Sequence, residues 1–237
     1  MMTKAIVEEN VWIPTGGREV EGVLAYPESE PPRRGVLLLS PHPHMGGRMD
    51  NNVIEHLARR FAEDACGVLR FNYGGVGKSE LEIPEAQSPY EYWVEIEAAK
   101  GYDAVLPDAV AARAFLVGAL PSGVPVAYVG YSFGCCLAML LAQVHPPESI
   151  AAISPPLREA ALVGLEDLTV PVCFVAGDND FVFDRKRLEA SLAAMSGRTE
   201  FVELDGCDHF FRKQEERIYQ VLRPTVVAVA ASKGEVA

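Results

Sequence analysis

The stretch VAYVGYSFGCCLAMLLAQ, residues 126–143, sets one hydroxyl residue, Ser132, two places after Gly130 and two before Gly134. It does so where an apolar run of strand length gives way to a run of helix length. A chain that turns sharply from strand into helix holds the turning residue in a strained conformation. Small flanking residues are favoured there because a Cβ would crowd the neighbouring strand and helix. The hydroxyl is thereby presented above the sheet, and the start of the following helix adds a field that favours developing negative charge. G-x-S-x-G alone is a weak signal; its strand-before, helix-after setting makes Ser132 a candidate nucleophile.

A serine hydroxyl is a poor nucleophile until a base takes its proton, and the base needs a carboxylate to fix its tautomer. A nucleophile on such an elbow takes its acid and then its histidine from later strand ends. Of the five histidines, His42, His44, His56 and His145 precede every acid candidate, which leaves His209 in ELDGCDHFF, residues 203–211. For the acid, VCFVAGDNDFVF (172–183) offers Asp178 and Asp180. Asp180 is favoured because the fourth place of G-x-x-D lets the chain bend back toward the histidine. Asp208 ranks last, since adjacent side chains seldom face each other.

An oxyanion needs two backbone donors. One is the N–H of Phe133, directly after the serine. The other is expected from the loop HPHMGGRMDNN after the apolar run GVLLLSP (35–41). Pro41 and Pro43 have no N–H to give, so the donor is His44, or Met45 beyond it, with Gly46 and Gly47 allowing close approach to a substrate. The His42 and His44 side chains read equally well as loop packing. As a metal pair they lack a third ligand nearby, so no metal is assigned.

Outward from these loops, apolar runs and helical patterns alternate. An opening hairpin is expected from Ile6–Ile13 and Glu19–Tyr26 across PTGG. Strands follow at Gly35–Pro41, Gly67–Phe71, Val126–Val129, Ile150–Ile153, Val170–Val175 and Thr199–Leu204. Helices are expected over 51–65, about Tyr102–Leu120, about Phe133–Val144, about Arg185–Met195, and from about Arg212, with Pro224 kinking the last or ending its first part. This is an α/β pattern: a mostly parallel sheet with an N-terminal antiparallel hairpin and helices on both faces. One domain over 1–237 is expected. The connection EIPEAQSPYEYWVEIEAAKG (82–101) shows no clear strand and carries Tyr90, Tyr92 and Trp93, either as a roof over a pocket or as aromatics tucked onto the body. The segment from Ser154 to Pro171 is too short for a cap domain.

On these motifs the chain resembles the α/β-hydrolases over most of its length. HPHMGGRMDN and RFNYGGVGKSE (70–80) are similar to a bacterial group of small lidless hydrolases with an H-P-H-P…G-G-x-M-D-N loop and an R-F-N-x-R-G-V-G-x-S-E turn. The resemblance implies a Ser132, Asp180, His209 triad with backbone donors at Phe133 and His44. Three departures bear on pocket shape: a first loop about two residues shorter with Met45 where Pro is usual, Gly74 in place of Arg, and a longer 82–101 segment.

Composition is that of an ordinary globular chain, with 49% hydrophobic and 23% charged residues. A formal charge of -12 disfavours nucleic acid and anionic membranes. No apolar run approaches the ~20 residues that span a bilayer, and MMTKAIVEENVWIP lacks the apolar core of a secretion signal. The five cysteines read as free core thiols of a cytoplasmic protein. The expected activity is cofactor-free serine hydrolysis of small carboxylic esters through an acyl-enzyme. Met45, Tyr90, Tyr92 and Trp93 are the expected substrate contacts. The same machinery would serve thioesters or small amides, and a non-catalytic binding protein on this fold is the rival from another class. Assembly as a homodimer is compatible with the sequence.

Overall fold

The computed structural model describes residues 5–193 and 195–227. Eight strands form one sheet: β1 (Ile6–Thr15), β2 (Arg18–Pro27), β3 (Arg34–Leu39), β4 (Cys66–Phe71), β5 (Val126–Tyr131), β6 (Ser149–Ile153), β7 (Val172–Gly177) and β8 (Thr199–Leu204). Their order is β1-β2-β4-β3-β5-β6-β7-β8. β1 pairs antiparallel with β2, and β2 antiparallel with β4; every later pairing is parallel. The parallel strands β3 to β7 are buried along their whole length, which is why they read as continuous apolar runs rather than alternating ones.

Among the described residues six helices flank the sheet: α1 (Asn52–Glu63), α2 (Pro89–Ala99), α3 (Leu106–Ala119), α4 (Phe133–Val144), α5 (Arg185–Leu192) and α6 (Glu215–Val227). Two cores result, one on each face. One joins Leu37, Leu39, Tyr128 and Phe174 to Trp93, Leu116, Leu137 and Leu188, and so packs α2 to α5. The other joins Val36, Leu38, Val129 and Val175 to Ile54, Leu57, Phe61 and Leu222 from α1 and α6. Alternate residues of one strand thus serve opposite faces.

The hairpin strands run further than the sequence pattern indicates, to Thr15 and from Arg18. Within 82–101 lies α2, which the pattern does not announce. Ser88 caps it through a reciprocal capping box with Glu91, and Pro89 opens it. α5 ends at Leu192 and α6 begins at Glu215 rather than Arg212. α6 continues through Pro224 to Val227, so the proline does not end it. Between β6 and β7 the only regular element is a 3₁₀ turn, Leu165–Asp167. Among the described residues no helix is long and apolar enough to cross a membrane.

Candidate active site

Ser132 stands between the last residue of β5 and the first of α4, at φ 53° and ψ -118°. That conformation strains a non-glycine residue, and its backbone is held at both ends: its N–H donates to the Ile153 carbonyl (2.8 Å) and its carbonyl accepts from Cys135 N–H (2.9 Å). The two glycines are explained by contact. A Cβ on Gly130 would lie 2.4 Å from the Gly134 carbonyl oxygen, and one on Gly134 would lie 2.1 Å from that of Leu39. Neither gap admits a methyl group, so the elbow requires both glycines.

The His209 ring meets Ser132 on one side and Asp180 on the other. Nε2 lies 3.1 Å from Ser132 Oγ, and Nδ1 lies 3.0 Å from each Asp180 carboxylate oxygen. Asp180 Oδ1 also accepts from the N–H groups of Val182 (3.0 Å) and Phe183 (3.3 Å). Burial opposes ionisation of Asp180, but the hydrogen bond and charge of His209 outweigh it, aided by Ser154 and Val182. Its carboxyl is held below the ordinary range. The Tyr131 hydroxyl donates to the His209 carbonyl from beneath. The other acids have local work: Asp178 accepts from Cys207 N–H (3.2 Å), tying β7 to the loop that carries His209, and Asp208 accepts from Phe210 and Phe211 N–H. All five cysteines are free and buried. In the elbow helix, burial pushes the Cys136 thiol up to about 12 and that of Cys135 well above its usual value, so neither competes with Ser132.

Phe133 is the first residue of α4, where a backbone N–H has no acceptor within the helix. The loop after β3 forms a 3₁₀ turn, Pro43–Met45, capped by His42. His44 N–H donates to His42 Nδ1 (3.2 Å) and Met45 N–H to the His42 carbonyl (2.9 Å). Gly47 is fixed by the loop itself, not by a ligand: a Cβ there would lie 1.9 Å from the Pro41 carbonyl oxygen. His42 is buried edge-on against Trp93 and Phe133. Burial outweighs nearby Glu97 and pulls its pKa down to about 4, which keeps it neutral near pH 7.

A cavity of about 280 Å³ opens over Ser132 and His209. Met45 lines it, as expected, but Tyr90, Tyr92 and Trp93 do not. Trp93 is 2% exposed and donates to the Gly74 carbonyl (3.1 Å), so it is a core residue. Tyr92 packs against the same core, and Tyr90 stacks on the outside of His44 with centroids 4.4 Å apart. The 82–101 segment reaches the cavity through Glu97 instead. The lining residues that the sequence did not indicate are Glu97, Tyr102, Pro156, Glu159, Phe181 and Val182. They arrive from separate elements; Glu97 lies in the 82–101 segment and Phe181 and Val182 directly follow Asp180, both stretches the sequence singles out, but nothing in either marks these side chains as cavity walls.

A mostly parallel sheet with an antiparallel opening, helices on both faces and a Ser–His–Asp chain at the strand ends defines an α/β-hydrolase. The chain belongs to the dienelactone hydrolase family, whose model matches residues 20–234. It is 26% identical over 206 residues to the uncharacterised protein RP471 of Rickettsia prowazekii (strain Madrid E), covering 83% of this chain and 80% of that one. Among solved structures it is similar to an alpha-beta serine hydrolase homologue from Coxiella burnetii, with a TM-score of 0.74 and 24% identity over 91% of this chain and 96% of that one. It is also similar to XC6422 from Xanthomonas campestris, described as a serine hydrolase without lid, with a TM-score of 0.73 and 19% identity over 94% and 97% of the two chains.

Proposed function

We propose that the protein is a serine hydrolase of small carboxylic esters that works through an acyl-enzyme on Ser132. The observation that carries this is the unbroken path from Ser132 Oγ through both His209 nitrogens to Asp180, each link 3.0 to 3.1 Å long. Ser132 Oγ attacks the ester carbonyl carbon while His209 Nε2 takes its proton. Asp180 holds the Nδ1 proton and stabilises the imidazolium. The carbonyl oxygen becomes an oxyanion facing the N–H groups of Phe133 and His44. His209 then protonates the leaving alcohol oxygen as the C–O bond breaks. Water, deprotonated by His209, attacks the acyl-enzyme, the acid leaves, and Oγ regains its proton. Every step uses side chains and backbone of this chain, so the proposal invokes no cofactor.

His44 has a condition attached. Its N–H is engaged by His42 Nδ1, so it serves an oxyanion by turning from that acceptor or sharing with it. The same steps would cleave thioesters or small amides; the aromatic residues that would recognise an acyl group of those substrates, Tyr90, Tyr92 and Trp93, do not line the cavity, and a panel of esters, thioesters and aminoacyl amides discriminates among the three. The test is labelling by a fluorophosphonate probe with esterase turnover alongside. One label per chain, lost in Ser132→Ala together with on the order of 10⁴ to 10⁶ in rate, is the expected result; undiminished labelling of Ser132→Ala would refute the assignment.

A further inference from the structure

The wall of the cavity carries charge of one sign. Among the described residues its lining includes Glu97 and Glu159 and no lysine or arginine, and its nitrogen-bearing side chains are all imidazoles. Glu97 comes from the last turn of α2. One carboxylate oxygen meets Lys100, which is outside the lining. The other, Oε2, lies 3.3 Å from the Tyr102 hydroxyl and 3.6 Å from His42 Nε2. Glu159 follows β6 on a turn closed by its own N–H to the Pro156 carbonyl (3.0 Å). The nearby arginines are committed elsewhere: Arg158 donates to the Phe183 carbonyl, and Arg187 to the carbonyls of Leu157 and Arg158. Glu159 therefore faces the opening without a counter-ion among the described residues. Both carboxylates act on Tyr102, whose ionisation is opposed first by burial and then by their charges.

A second observation concerns how Glu97 is held. His42 Nδ1 accepts from His44 N–H, which places the ring proton on Nε2. That N–H has no hydrogen-bond acceptor although the His42 side chain is only 9% exposed. Buried donors of this kind are ordinarily completed, and Glu97 Oε2 stands just out of range. A donor calls for an acceptor, and Glu97 Oε2 is the carboxylate oxygen beside it; the His42 N–H and the Tyr102 hydroxyl thus bracket that oxygen at the cavity wall, where its charge is presented to a bound cation. The aromatic residues Tyr102, Phe133 and Phe181 also line the cavity and suit a weakly hydrated cation.

We infer that the cavity selects small esters bearing an ammonium group, with Glu97 and Glu159 as the residues that set this specificity. The inference rests on the ester-hydrolase reading of the same site and adds the substrate's charge.

The test compares p-nitrophenyl 4-(trimethylammonio)butyrate with its uncharged 5,5-dimethylhexanoate isostere and the anionic hemiglutarate, and a choline ester with the 3,3-dimethylbutyl ester of the same acid. Wild type should prefer the cation by about tenfold in kcat/KM over the neutral isostere and more over the anion, on the acyl or the alcohol side. Each of Glu97→Gln and Glu159→Gln should lower the cation-to-neutral ratio by about fivefold, and added salt should compress it. Glu189→Gln, on exposed α5, makes the same change in net charge and should leave the ratio alone. Active, probe-labelled enzyme with no charge preference, or with a ratio that neither glutamine moves, overturns this inference only. Enzyme that neither labels nor turns over any ester overturns the ester-hydrolase reading, and this inference with it.

Discussion

Gly134 lies directly beneath Leu39: a Cβ on the glycine would sit 2.1 Å from the leucine carbonyl oxygen. That oxygen belongs to the backbone at the end of β3, so nothing flexible can yield. Gly134→Ala is expected to cost about 3 kcal/mol or more and to displace the elbow. Urea unfolding alongside fluorophosphonate labelling checks both; an alanine variant as stable and as reactive as wild type would remove the steric account of the motif.

Asp180→Asn keeps the shape of the acid but loses the charge that favours the working tautomer of His209. A fall of roughly 10⁴ in kcat with little change in KM is expected, read from steady-state ester hydrolysis. The substitution also alters acid stability. The folded pKa of Asp180 lies below its unfolded value, so its stabilisation is complete above about pH 4 to 5 and is lost as pH falls through the folded pKa. The asparagine variant should show a shallower decline in unfolding free energy below about pH 4.

His42 has the opposite sense of shift for its type. Its folded pKa, about 4, lies below an unfolded value of ~6.5. Between those values the unfolded chain binds a proton that the folded one refuses, and stability falls as pH drops through the window. His42→Phe should reduce that slope by up to about 1.4 kcal/mol per pH unit. Urea titrations at several pH values between 7 and 4 decide it, and identical slopes for the two proteins would contradict the burial argument.

Asp108 is buried and paired with Arg18 from β2, while also accepting the Gly74 N–H at 2.8 Å. Arg18→Met would strand the carboxylate and is expected to cost about 3 to 5 kcal/mol. Adding Asp108→Asn should recover part of that loss. A double variant no more stable than the single one would place the cost in packing rather than charge.

The same pair bears on how much the sequence revealed. In the RFNYGGVGKSE turn, the resemblance read from the sequence leads to an expected arginine where Gly74 stands. In the fold, Arg18 Nη1 stands 3.0 Å from where a Cβ on Gly74 would be. A guanidinium occupies the neighbourhood of position 74, but from a strand 56 places earlier in the chain, which no local pattern could disclose. Strand order along the chain and the elbow were legible because each rests on short-range spacing, and His209 because the order of acid and base along the chain leaves a single histidine. So was the choice between Asp178 and Asp180, since two residues' difference in one turn decides which carboxylate meets the imidazole. α2 was missed because only Trp93 and Ile96 of its residues are buried, too few for a stripe, although Ser88, Pro89 and Glu91 spelled out its start. The cavity walls were not legible, because Glu97, Tyr102, Glu159 and Phe181 meet only after the sheet is assembled.

The two halves of the proposed oxyanion site differ in how they are built. The Phe133 side is set in the elbow, where Ser132 N–H donates to the Ile153 carbonyl and Gly134 packs against the Leu39 carbonyl, whereas the His44 N–H belongs to a short turn closed by Met45 and Gly47 N–H to the His42 carbonyl and is itself already spent on an imidazole. Substrate would thus meet one donor free to receive it and one that must first let go of its own ring, and differences in turnover among acyl groups should originate in how readily each one brings about that release.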